Sequence, residues 1–218
     1  MSAMIAPPDI SGIVCGPMGA REHDAVRDLI ANTFSRYEPM AVAVGQSFAE
    51  FQAVLDLFVA DDTFQDLTVR ARLAATGEIV GVMLTTDFTM PLPVGMVGLS
   101  PNFAPIGGVI HELEAWYIDA KSPPPGECLD LAMLAVDRAH GGQGIAQRLV
   151  SDCLKRGAAK GYRRAITMAT NQTSQKVFQN LGFKELFSVS YKDYTFDGNR
   201  VFAAIEPDDR TALMERML

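Results

Sequence analysis

One junction constrains this chain more than any other. Leu129-Asp130-Leu131-Ala132-Met133-Leu134-Ala135-Val136 is almost wholly apolar, Gly141-Gly142-Gln143-Gly144 breaks it, and Ile145, Leu149, Val150, Cys153 and Leu154 then recur at helical spacing up to Gly161. An apolar run of that length suits a strand covered on both faces, so the segment predicts strand, glycine loop, helix. Such a junction can hold an anion. The first amides of a helix have no intrahelical partners, the helix dipole adds partial positive charge, and glycine lets a ligand approach the backbone. The dinucleotide pattern GxGxxG fails, because Gly142-Gln143-Gly144 continues as Ile145-Ala146-Gln147 and no acidic residue ends a second strand about twenty positions on. The Walker ending Gly-Lys-Ser/Thr is also missing. What remains is Gly-x-Gly-x-Ala over Gly142 to Ala146, a pattern that plain tight connections share.

The rest of the chain organises around this junction. Upstream, Val26, Leu29, Ile30 and Phe34 share a helical face, as do Phe48, Phe51, Val54, Leu55 and Phe58, with Pro39 forcing a break between them. Thr68 to Ala74 and Glu78 to Thr85 read as strands joined at Thr76-Gly77. Residues 88–127 are rich in proline and glycine around one short helix, Ile110 to Ala120. They read as an insertion over a substrate pocket, or else as a solvated loop. Downstream come a strand at Arg164 to Ala169 and a helix from Asn171 to Asn180 ending at Gly182. Last, Lys184 to Thr195 and Arg200 to Ile205 are expected to pair around Asp197-Gly198-Asn199. The expected architecture is a mixed α/β fold in a single domain over residues 1–218.

Charge and composition exclude several functions. A net charge of −7 leaves no basic stripe for a nucleic-acid backbone, while a cationic small molecule would meet a favourable field. Cys15, Cys128 and Cys153 form no CxxC, and His23, His111 and His140 form no HxxxH, so neither a disulfide framework nor a metal site is expected. Met1 to Pro8 carries no basic segment leading into a long apolar stretch, and no membrane-spanning run occurs. The expectation is a cytoplasmic protein with no membrane partner, a monomer or homodimer.

Leu134-Ala135-Val136-Asp137-Arg138-Ala139-His140-Gly141-Gly142-Gln143-Gly144-Ile145-Ala146 resembles the acetyl-CoA signature of the GNAT acetyltransferases. Asn171 through Val177-Phe178-Gln179-Asn180-Leu181-Gly182-Phe183 resembles their next helix and its Leu-Gly-Phe ending. The resemblance covers about Leu129 to Phe196, within an acetyl-CoA-binding half at about 128–196. It implies a mostly antiparallel central sheet flanked by helices. It also implies that the amides of Gly141, Gly142, Gln143, Gly144, Ile145 and Ala146, with Asn171, hold the cofactor, and that Met133, Leu134, Ala135 and Val136 edge its pantetheine arm. Gly141 stands where the family usually has Gln or Arg, with Arg138 or Arg148 as the cations that would compensate.

Acetyl transfer to an amine needs a neutral amine, yet an alkylammonium has a pKa of about 10, so a base must take a proton. The tyrosine that many family members use to protonate the departing sulfur aligns with Phe178, which cannot donate. Tyr37-Glu38-Pro39-Met40 and Ala169-Thr170-Asn171-Gln172-Thr173-Ser174 resemble segments of the insect dopamine-type arylalkylamine N-acetyltransferases. That likeness implies Glu38 as base, Thr170 as relay and Ser174 as donor to the thiolate. The same residues also suit a solvent-facing glutamate, a strand hydroxyl and a helix cap. Tyr191 and Tyr194 could line the pocket, and Trp116 or Tyr117 could stack on the acceptor. The resulting expectation is acetyl-CoA-dependent acetylation of a small primary amine, an arylalkylamine or polyamine. The alternatives are a protein or peptide N-acetyltransferase and a non-catalytic coenzyme A-binding module.

Overall fold

The computed structural model describes residues 12–59, 66–90 and 100–218; Met1 to Pro8, and Pro91 and Pro93 of the expected insertion, lie outside them. The first part of the chain gives β1 (Ile13–Pro17), α1 (His23–Tyr37), α2 (Pro39–Val44), α3 (Phe48–Val59), β2 (Val69–Leu73), β3 (Ile79–Asp87) and α4 (Ala104–Lys121). The second gives β4 (Cys128–Val136), α5 (Ile145–Ala159), β5 (Arg164–Ala169), α6 (Gln172–Asn180), β6 (Lys184–Ser190) and β7 (Arg210–Met217).

The strands form one sheet in the order β1-β2-β3-β4-β5-β7-β6. Every neighbouring pair is antiparallel except β4 with β5. Strand alternation divides the core between the two faces of this sheet. Val82 and Leu84 of β3 join the layer under α1, α3 and α4, with Val26, Ile30, Phe51 and Leu113. Met83, between them, joins the layer under α5 and α6, with Leu149, Val150 and Phe178. The α5 layer sits close because β3 has no side chain at Gly81, where a Cβ would stand 2.9 Å from Cγ2 of Ile145.

Two expectations are corrected. The short helix Ile110 to Ala120 is part of the eighteen-residue α4, with Pro105 in its first turn and Ser122 ending it in the left-handed region at φ 41°. Gly107-Gly108 looks like a breaker in the sequence, but a Cβ at Gly108 would stand 2.3 Å from the Tyr194 hydroxyl, so packing against that ring requires the small residue. The expected strand Arg200 to Ile205 is instead a series of turns, and the strand that pairs with β6 is β7. Phe202 is fully buried against the rings of Tyr191 and Tyr194, at 5.6 and 5.5 Å, so its apolar character reflects a plug rather than a ladder.

Candidate active site

β4 and β5 pair over only three positions, Cys128 with Arg164, Leu129 with Ala165 and Asp130 with Ile166. At the end of the pairing, Thr167 Oγ1 donates to the Leu131 carbonyl at 2.9 Å. Beyond it a cleft of about 180 Å³ lies between Leu131, Ala132 and Leu134 on one side and Thr167, Met168 and Ala169 on the other. β3 occupies one edge of Met133 to Val136, so backbone groups of β4 that point away from β3 meet no strand there. Of the four residues expected to edge a pantetheine arm, Leu134 lines this cleft and Met133 a larger neighbouring cavity. Ala135 is buried in the core.

The glycine loop follows at the end of β4. Asp137 accepts from the Ala139 amide at 2.7 Å to fix the first turn, and Gly142 and Gly144 take left-handed φ values of 75° and 83°. Gly144 is the N-cap of the fifteen-residue α5 and offers no capping side chain; the bond from the Arg148 amide to its carbonyl, at 3.1 Å, closes the first helical turn. The amides ahead of that bond are therefore available to an anion at the positive end of the helix. Ile145 contributes only its backbone, since its side chain is buried under Gly81. Gly141 has an ordinary φ of −63°, but a Cβ there would crowd the Arg138 carbonyl at 3.2 Å. As for the two compensating cations, the Arg138 guanidinium lies 4.7 Å over the Tyr37 ring, and Arg148 binds Asp152 at 3.0 Å.

Glu38 links α1 to α2. Pro39 ends the first helix and takes the first position of the second, and Glu38 caps that second helix with Oε2, which accepts from the Ala41 amide at 2.6 Å. The residue is 8% exposed and Oε1 has no hydrogen bond, so it is not a solvent-facing glutamate. Burial pushes its pKa up, against the opposing pull of the Ala41 and Met40 amides and the Thr170 hydroxyl. Thr170 lies at the end of β5, its carbonyl accepting from the Tyr191 hydroxyl at 2.7 Å. Ser174 lines the cleft and stands in the first turn of α6, whose N-cap is Asn171: the Ser174 amide donates to Asn171 Oδ1 at 2.9 Å, and the Ser174 hydroxyl donates to the Asn171 carbonyl at 2.9 Å. Phe178 closes the cleft beside it.

A second cavity of about 590 Å³ opens on the α1–α4 side of the sheet, largely apolar but with Glu38, Asp87, Glu114 and Asp130 in its wall. The two spaces share Phe34, Glu38, Ala132, Met168 and Thr170, so the expected base and relay stand where they meet. The aromatic candidates are placed elsewhere. Tyr191 lies behind Thr170, Tyr194 reaches the Pro105 carbonyl at 3.3 Å, Trp116 stacks on Phe187 at 5.2 Å, and Tyr117 donates to Glu215 at 2.7 Å. None of them lines either space.

Sequence reasoning missed Asp130 and Gln46. Asp130 is the one charged residue in an apolar strand, a signal that was available; burial and the neighbouring charge of Glu114 raise its pKa to about 7. Gln46 is 2% exposed, lines the larger cavity, and has neither amide atom hydrogen-bonded. The Asp130 shift has a consequence for stability. The folded chain holds this proton more tightly than the unfolded chain, whose value is near 3.8, so ionisation costs stability as pH rises from about 4 to about 7. Asp130→Asn should therefore gain on wild type with pH, reaching on the order of 2–4 kcal/mol at pH 8 at about 1.4 kcal/mol per unit. Denaturation of both proteins across that range checks this, and a pH-independent difference would refute it.

The model of the Acetyltransferase (GNAT) family matches residues 51–183. Arylalkylamine N-acetyltransferase 2 from Aedes aegypti superposes with a TM-score of 0.79 at 20% identity, over 95% of this chain and 99% of that one. The C-terminal condensation domain of Ebony, solved with beta-alanyl-dopamine, gives 0.84 at 17% identity over 94% and 99%. The Drosophila melanogaster polyamine N-acetyltransferase, which forms N-acetylagmatine, gives 0.69 at 21% identity over 94% and 100%.

Proposed function

The chain belongs to the GNAT acetyltransferase family, and on that premise we propose that it moves an acetyl group from acetyl-CoA to a small primary amine, an arylalkylamine or a polyamine, by direct attack. One observation carries this reading. The cleft beside the glycine loop and the larger cavity meet at Glu38 and Thr170, so an amine in the cavity presents its nitrogen to the cleft beside a buried carboxylate with a free oxygen.

The residues fit the cosubstrate. Gly142 and Gly144 hold the loop in the left-handed region, the α5 amides are uncapped, and a Cβ at Gly142 would meet nothing within 4 Å, which leaves the backbone open to a pyrophosphate. Acetyl-CoA supplies the activated thioester. Glu38 is a stronger base than an ordinary carboxylate because burial disfavours its charge, and in its ionised form it attracts the ammonium it must deprotonate. Thr170, close to that carboxyl and facing both spaces, relays the proton. Ser174 gives its hydroxyl proton to the departing sulfur, for which the hydroxyl must turn away from the Asn171 carbonyl, and it is restored by one of the two protons the reacting ammonium loses, the other leaving through Glu38.

Trapping the released thiol while supplying a panel of small amines tests the reading; turnover with arylalkylamines or polyamines is expected. Acetyl-CoA binding without turnover of any amine or peptide would favour the non-catalytic module, and turnover of peptides alone the protein-acetylating enzyme.

Ser174→Ala separates its two roles. A donor that acts as sulfur leaves should lower kcat more than it raises KM for acetyl-CoA. A cap alone would cost about 1 kcal/mol of stability with near-normal kinetics. Asn171 is the N-cap, and its bond from the Ser174 amide survives the substitution, so only the hydroxyl's own bonds are lost and the expected result is a lower kcat with at most a small fall in melting temperature; unchanged kcat would remove Ser174 from the mechanism.

A further inference from the structure

Charge in the larger cavity is unbalanced. Among the described residues four carboxylates line it, with His111 as the basic side chain and no lysine or arginine. Asp87 is engaged: Oδ1 accepts from the Thr89 amide and hydroxyl at 2.8 and 2.6 Å, and Oδ2 accepts from the Gly126 amide at 2.7 Å. Asp130 and Glu114 are not matched in this way. One projects from β4 and the other from α4, both face the same cavity, the charge of Glu114 adds to burial in raising the Asp130 pKa, and the exposed His111 eases the charge on Glu114. Two carboxylates that repel in a mostly apolar space are costly to keep ionised, and a cation brought in from outside would offset that cost.

Glu38, in the wall of the same cavity, is a second and independent sign of a cationic ligand. It is nine-tenths buried with one oxygen unpartnered. Ile166, which pairs with Asp130, precedes Thr170 by four residues. At about 3.3 Å per residue that is roughly 13 Å of chain between the Asp130 level and the level of the reaction. The cavity thus has two separate acidic stations with an apolar wall between them. Among the described residues no group of three His, Cys, Asp or Glu is gathered to hold a metal ion, which favours an organic cation.

We propose that Asp130 and Glu114 form a second cation site, which takes the distal ammonium or guanidinium of an acceptor carrying two positive groups while its reacting amine lies at Glu38. The position of the reacting amine rests on the acetyl-transfer reading above. Selection works in both directions: the distal cation gains two carboxylates, whereas an apolar tail of the same length brings them no counter-charge.

Nonylamine and 1,9-diaminononane, whose extended length matches the span between the two stations, differ in the terminal ammonium and test the site directly. In wild type, kcat/KM for 1,9-diaminononane should exceed that for nonylamine by at least about tenfold beyond the statistical factor of two for its equivalent ends. In Asp130→Asn and in Glu114→Gln, each checked for folding by its melting curve, that ratio should fall to near the statistical value. Calorimetric titration of both amines into coenzyme A-saturated protein reads the same preference without turnover. A binding preference that the substitutions abolish, with no acetylation of either amine, would support the cation site while overturning the acetyl-transfer reading. A wild-type preference no greater than the statistical factor, or one that survives both substitutions, would overturn the cation site.

Discussion

Gly144→Glu should abolish acetyl-CoA binding in a protein that still folds, with a loss of at least about a hundredfold in affinity. The residue caps α5 at φ 83° and bears no side chain at the point where the loop amides face outward. A carboxylate there meets the pyrophosphate as a like charge, which costs several kcal/mol, and about 2.7 kcal/mol already corresponds to a hundredfold. The left-handed backbone adds about 1–2 kcal/mol of strain for any side chain. Gly144→Ala carries that strain without the charge and should bind far more tightly than the glutamate variant. Calorimetry on both variants, with melting curves to establish folding, checks the assignment. Unchanged affinity in folded Gly144→Glu would remove the loop from cofactor binding.

That loop was legible because its physics is local. A strand covered on both faces reads as an apolar run, a helix covering it reads as an apolar stripe, and glycines at left-handed φ mark the chain's turn between them, so sequence alone places Gly142 and Gly144. Leu181-Gly182-Phe183 is legible for the same reason: Gly182, at φ 84°, follows the end of α6. The last strand was not. Val201, Phe202 and Ile205 look like strand residues, but Phe202 fills a gap between two tyrosine rings, whereas the strand that pairs with β5 and β6 lies at the chain's C-terminal end. Local pattern reports that a residue is buried and is silent on which partner buries it.

The acceptor side is harder to read because it is made of residues far apart in sequence. Asp130, Glu114 and Glu38 come from β4, α4 and the link between α1 and α2, and only the fold brings them around one cavity. Glu38 illustrates how sequence signals can be double: Glu-Pro ahead of a short apolar segment specifies a helix cap, and the structure shows that cap on Oε2. The other oxygen carries the functional signal, since it is buried without a partner, and nothing in the sequence distinguishes the two. Ser174 is similar, bonded to the Asn171 cap of α6 and a cleft residue by its position.

Glu38→Gln should lower kcat on the order of 10²-fold at neutral pH, within the usual range for removal of a general base. The amide is isosteric and its oxygen can still accept from the Ala41 amide, so the α2 cap survives and the melting temperature should not fall. Because burial raises the Glu38 pKa, wild-type activity should rise with pH as this carboxyl ionises. The variant has no such ionisation and depends on the fraction of amine that is already neutral, which grows toward the amine's own pKa of about 10. The gap between the two proteins should therefore be widest near neutrality and close steadily as pH approaches 10. A solvent-facing glutamate would give parallel profiles with little loss. If the pH–rate curves of wild type and Glu38→Gln coincide, deprotonation belongs to another carboxylate, with Glu112 and Glu114 next to test. Of these, Glu114 lines the cavity and has its own pKa raised by burial.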